Sequence, residues 1–156
     1  LTQQLGEILP KLKAGKEGLR LLLLPIDLNY NHSENSQLAR IIQSISIDFC
    51  LNSIDSHSRA FIQTILSQQS ANLSQLQTSQ KDLLPIWQQT ILANKNQNSG
   101  LVTGLVVVDR AILEENLTRI FNLPSCNYSL QLQPNTLSII YYSNLCNHPI
   151  FQTINL

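Results

Sequence analysis

Two stretches of this chain are apolar without alternating, and they limit its fold more than any other feature. Residues 21–26 read LLLLPI and residues 104–109 read GLVVVD. A strand with one wet face alternates apolar and polar side chains, whereas a strand buried on both faces does not. Both runs are far below the roughly 18 apolar residues that a membrane-spanning helix needs. They predict two central strands of a largely parallel sheet, at about 20–25 and at 100–109, with helices against both faces.

The segments between them fit that scheme. Ser33 can cap a helix over about 34–45 that sets Leu38, Ile41, Ile42 and Ile45 on one face. IDFCLNS (47–53) reads as another strand, and Asp55 or Ser56 can cap a helix carried by Phe61, Ile62, Ile65 and Leu66. The polar stretch SQQSANLSQLQTSQ (67–80) is compatible with an extension of that helix and with a loose loop. Ser79-x-x-Asp82 resembles a capping box, opening a helix over about 82–95. Pro85 is tolerable in that helix only in its first turn, and Trp87, Ile91 and Leu92 supply its inner face. Asp109 can cap a helix over about 110–122 with Leu113, Leu117, Ile120 and Phe121 inward. The tail from Tyr128 onward alternates and turns at Pro134 and Asn135, as a meander does. Strand and helix alternate through most of the chain, which predicts an α/β class. Residues 1–18, broken by Pro10, Gly15 and Gly18 and solvated by Lys11, Lys13 and Lys16, read as a connector.

Composition removes several function classes. At 156 residues the chain suits one domain and is too short for two ordinary ones. Charged residues are 13% of it, against about 25% in an average protein, and Asn, Gln and Ser supply the polarity instead. Ten basic and ten acidic residues cancel, so no nucleic-acid-binding face is expected. Neither a membrane span nor a secretory leader is expected, because the first residues lack an apolar core. Cys50, Cys126 and Cys146 show no CxxC spacing, so no metal site and no cofactor is expected. They read as structural thiols in a reducing cytoplasm, with a Cys126–Cys146 disulfide as the alternative. Gly100-x-x-x-Gly104 matches a membrane-helix packing motif but lies in a strand-like run.

Three segments, in order, resemble the histidine phosphatase (phosphoglycerate mutase-like) superfamily. LRLLLLPIDLN stands where that family has a strand running into its Arg-His-Gly motif. IDFCLNSIDSHSRAFIQTIL is similar to the family's next strand and helix, of the form D-x-x-x-S-S-P-x-x-R-A-x-x-T-A. GLVVVDRAILEENLTRIFNLP resembles the strand, second catalytic histidine and helix that ends in Gly-Leu-Pro. The closing PNTLSIIYY…HPIFQTINL is similar to the family's last hairpin, and LGEILPKLKAGKEGLRLLL to the join before the second domain of two-domain bacterial members. The resemblance implies a three-layer α/β/α sandwich with a mostly parallel sheet and a reduced cap insertion. It divides the chain into a linker or extension at 1–18 and one domain at 19–156.

In an active member, the resemblance implies, the first histidine takes the phosphoryl group. Two arginines and a second histidine hold its oxygens, and a glutamate from an insertion protonates the leaving group. Such a pocket supplies positive charge and donors to a dianion. Matched residue by residue, the motif arginine falls on Pro25, the nucleophilic histidine on Ile26 and the glycine on Asp27. The second histidine falls on Asp109 and the second-strand arginine on His57, with Arg59 two residues on. Between Arg59 and Asp109 the only acid is Asp82, so the proton donor has no counterpart. Ile26 cannot carry a phosphoryl group, and Asp27 would repel one.

The expectation is therefore a non-catalytic pseudo-phosphatase domain that docks on a protein partner or another domain of the same polypeptide, or forms a homodimer. The alternative is a sensor that holds a neutral or cationic small molecule with Asp27, Asn29, Asn31, His57 and Arg59. A weak phosphomonoesterase is the third reading. Asp27 and Asp109 can instead be a turn residue and a helix cap, or a carboxylate pair for a divalent cation.

Overall fold

The structure, a computed structural model, describes residues 18–26, 36–53, 63, 74–78, 83–95, 100–123, 130–133, 136–143 and 149–154. Among the described residues the elements run β1 (Gly18–Ile26), α1 (Ser36–Gln43), β2 (Phe49–Ser53), β3 (Ser74–Thr78), α2 (Leu84–Lys95), β4 (Leu101–Asp109), α3 (Arg110–Ile120), β5 (Ser138–Ser143) and β6 (Ile150–Thr153). The six strands form one sheet in the order β3-β2-β4-β1-β5-β6. Its first four strands are mutually parallel, while β5 runs antiparallel to both of its neighbours.

The two unalternating runs are the two middle strands. All nine residues of β1 are buried, as are the seven between the ends of β4. Successive side chains leave opposite faces of the sheet, so each run feeds two cores. Leu22, Leu24, Leu105 and Val107 pack on one face with Ile41 and Ile42 of α1. Leu21, Leu23, Val106 and Val108 pack on the other with Trp87 of α2 and Leu113 and Leu117 of α3. The expected α/β sandwich is therefore present.

Local chemistry explains several boundaries. Pro85 is the second residue of α2, where a missing N–H leaves no bond unmade. The residue before that helix, Leu83, donates its N–H to Asn116 Oδ1 on α3 at 3.0 Å, and Asn116 Nδ2 donates to the Ile112 carbonyl at 2.7 Å. Trp87 is core: its Nε1 donates to the Tyr142 hydroxyl at 2.9 Å. Burial pushes the Tyr142 phenol up, and the bond from Trp87 acts the other way. At the end of α3, Asn122 adopts φ 54°, the left-handed conformation that a glycine usually supplies. Gly104 is needed because a Cβ there would run into the Phe49 ring from β2. Cys50 is buried and free, and burial pushes its thiol up to about 12. Cys126 and Cys146 lie outside the described residues.

Four expectations change. Leu92, set on the inner face of the helix at 82–95, is 72% exposed, while Trp87 of that helix is buried and Ile91 partly so. Gly18, read as the end of the connector, is the first residue of β1, at φ 131° and against the Tyr142 carbonyl. The stretch at 67–80, read as helix extension or loop, contains β3, paired in parallel with β2 from Phe49↔Ser74 to Ser53↔Thr78. Residues 130–133, read as the first arm of a meander, are not a strand; the hairpin is β5 with β6. The Leu132 N–H donates instead to Glu114 Oε1 at 2.8 Å, which ties that segment to α3. The helix expected around Phe61 to Leu66 is described only at Gln63, which is helical. The caps at Ser33, Asp55, Ser56, Ser79 and Asp82 and the turn at Pro134 lie outside the described residues.

Candidate functional site at the strand ends

In an open parallel sheet the crevice beyond the carboxyl ends of the strands is where ligands bind. Here β1 and β4 end side by side, with Pro25 opposite Val108 and Ile26 opposite Asp109. Pro25 cannot donate to a sheet ladder. It stands where β5 has already ended, since that pairing stops at Leu23↔Ser138. Ile26 is 3% exposed and belongs to the same apolar cluster as Leu24, Val107 and Ile139. Its hydrocarbon branch closes the end of the core and offers neither a donor nor a nucleophile.

Asp109 shares the face of Ile26, and its carboxylate has a local task. Oδ1 accepts the N–H of Ala111 at 3.0 Å and that of Ile112 at 3.3 Å, which caps α3. A cap of this kind satisfies two of the four N–H groups that a helix leaves open at its start. The next residue, Arg110, turns to Glu114 at 3.4 Å, an i,i+4 pair along the helix. On the neighbouring strand β2, Asn52 lies opposite Val107, one layer below Asp109. It is buried, and among the described residues its Oδ1 has no hydrogen-bond partner. The described strand ends thus present Pro25, Ile26, Asn52 and Asp109: one acid, one amide and no cation.

Of the residues singled out by sequence, the structure brings Ile26 and Asp109 together as register partners, with Pro25 beside them. Asp27, Asn29, Asn31, His57 and Arg59 lie outside the described residues, and so does any Asp27–Asp109 carboxylate pair. Among the described residues no group of three His, Cys, Asp or Glu side chains gathers to hold a metal, and no helix is long and apolar enough to cross a membrane. Sequence reasoning missed Asn52, a polar side chain in an otherwise apolar strand centre. It also missed Arg20, the single charge in GLRLLLLPI, which the structure buries.

No family model matches the chain, and no curated protein matches it. Solved structures do. The phosphoglycerate mutase of Plasmodium falciparum superposes with a TM-score of 0.65 at 8% identity, over 89% of this chain and 91% of that one. A putative alpha-ribazole-5'-phosphate phosphatase from Escherichia coli gives 0.59 at 14% identity, over 88% and 97%. The protein histidine phosphatase SixA, solved with tungstate, gives 0.56 at 9% identity, over 86% and 94%. The chain has the phosphoglycerate mutase-like fold of the histidine phosphatases.

Proposed function

We propose that this chain is a non-catalytic domain on the histidine phosphatase fold, a degenerate form in which the frame has outlasted the chemistry. The observation that carries the reading is the pair of strand ends. Where the fold's phosphoryl-accepting turn would stand, β1 ends in Pro25 and a buried Ile26. Where its second histidine would stand, Asp109 holds the start of a helix. A dianionic phosphate needs donors and positive charge around it, and these positions offer hydrocarbon and a carboxylate. The resemblance of the chain's start to an interdomain join suggests the second half of a two-domain protein. Its work would then be docking, dimerisation or assembly, in a reducing cytoplasm where Cys50 stays a buried thiol. A composition poor in charge suits such contacts, because interface centres are depleted in charged residues.

One observation favours the sensor reading instead: Asn52 Oδ1 is buried beneath the strand ends with no donor to satisfy it among the described residues. A neutral or cationic ligand that brought an N–H there would remove that cost. Light scattering and thermal melting of the purified chain separate the two readings. The assembly reading expects a dimer, or a complex with a separately supplied partner domain, and a melting temperature that a panel of amines, amides and sugars leaves unchanged. A ligand-dependent rise in a monomer would overturn it in favour of the sensor.

A further inference from the structure

Arg20 is the third residue of β1, at the end of the sheet opposite the strand ends described above. It is 2% exposed, inside a strand whose neighbouring positions are Leu19, Leu21 and Leu22. A guanidinium carries five N–H donors and no acceptor. Nη2 donates to Thr103 Oγ1 at 3.1 Å, across the Arg20↔Thr103 register pair. Among the described residues, Nε and Nη1 are buried and have no hydrogen-bond partner. Three N–H groups of one cation are therefore out of water without an acceptor.

Among the described residues the carboxylate acting on Arg20 is that of Asp48, and its geometry ties it elsewhere. Thr103 N–H donates to Asp48 Oδ2 at 2.9 Å, and Asp48 N–H donates to the Thr103 carbonyl at 2.8 Å. Asp48 is itself exposed, so water screens its charge. Burial lowers the Arg20 pKa from its ordinary value, and the Asp48 charge raises it. A hydrocarbon side chain would suit this position better than an unmatched cation. The position makes physical sense when an oxyanion supplies the missing acceptors.

We propose that Arg20 is a receptor for a carboxylate at the amino-terminal end of the central sheet, with its Nε–H and Nη1–H groups as the donors. The chemistry selects a carboxylate over a phosphate. A planar monoanion matches the guanidinium fork and neutralises its one charge, whereas a phosphate dianion would leave a buried negative excess. The carboxylate can be a free small acid or an acidic side chain, and formate reports the chemistry that both share. This site is separate from the strand ends, so its test does not depend on whether the chain is catalytic.

The melting temperature of the full chain is measured in sodium formate, sodium chloride and sodium phosphate at equal ionic strength. Formate at ten times its dissociation constant should raise it by about 3–5 °C over chloride. Arg20→Met should abolish that rise. Equal melting in formate and chloride would overturn the proposal, as would a rise that survives Arg20→Met or a rise in phosphate alone. If the Met variant does not fold, Arg20→Lys decides the matter: it keeps the charge and loses the fork, so the formate-dependent rise should largely vanish, and its retention would refute the receptor.

Discussion

At the scale of single residues, Asp109 ties the end of a central strand to the start of the next helix. Its carboxylate accepts two backbone N–H groups that would otherwise open to solvent at the head of α3. Replacing an N-cap acid by alanine typically costs about 1 kcal/mol, within a range of about 0.5–2. Asp109→Ala should show that loss in urea denaturation, while Asp109→Ser should recover most of it because a hydroxyl oxygen can take the same bonds. Equal losses in both variants would mean that the carboxylate acts through something other than the cap. This cap is legible in sequence because capping is local chemistry, set by residues three apart. The bond from Leu83 to Asn116 is not legible, since its partners are 33 residues apart and only the packing of α2 against α3 joins them. Arg20 stands out as a charge in an apolar run, but its burial follows from being threaded between β4 and β5.

At the scale of elements, β1 and β4 could be read from sequence because burial on both faces leaves an apolar run. β3 could not. SQLQT carries one leucine and no β-branched pair, so nothing local distinguishes it from a loop; its strand character comes from pairing with β2 at the edge of the sheet. The contact between β2 and β4 offers a test of the packing. A Cβ on Gly104 would collide with the Phe49 ring, which lies in the core at 3% exposure. Overpacking of this kind costs typically about 1–3 kcal/mol. Gly104→Ala should lose that much in chemical denaturation, and adding Phe49→Leu should return part of it, a non-additivity expected of residues in contact. Strictly additive losses would show that the ring does not occupy the space a methyl group needs.

At the scale of the whole molecule, a six-stranded sheet with helices on both faces matches histidine phosphatases over nearly their full length at identities of 8–14%. Hydrophobic pattern and strand spacing carry the fold, and they tolerate almost complete change of sequence as long as each position keeps its burial. Catalysis has no such tolerance, because a nucleophile cannot be replaced by a side chain of similar volume. That difference explains why the frame was legible while the site could be read only as a set of positions matched by resemblance, of which Pro25, Ile26 and Asp109 are described. The non-catalytic reading stands or falls on turnover. Purified chain incubated with a phosphomonoester such as para-nitrophenyl phosphate should release phosphate no faster than buffer. Sustained release that is lost on His57→Ala or Arg59→Ala would contradict the account, because it would place a working phosphatase site on this chain.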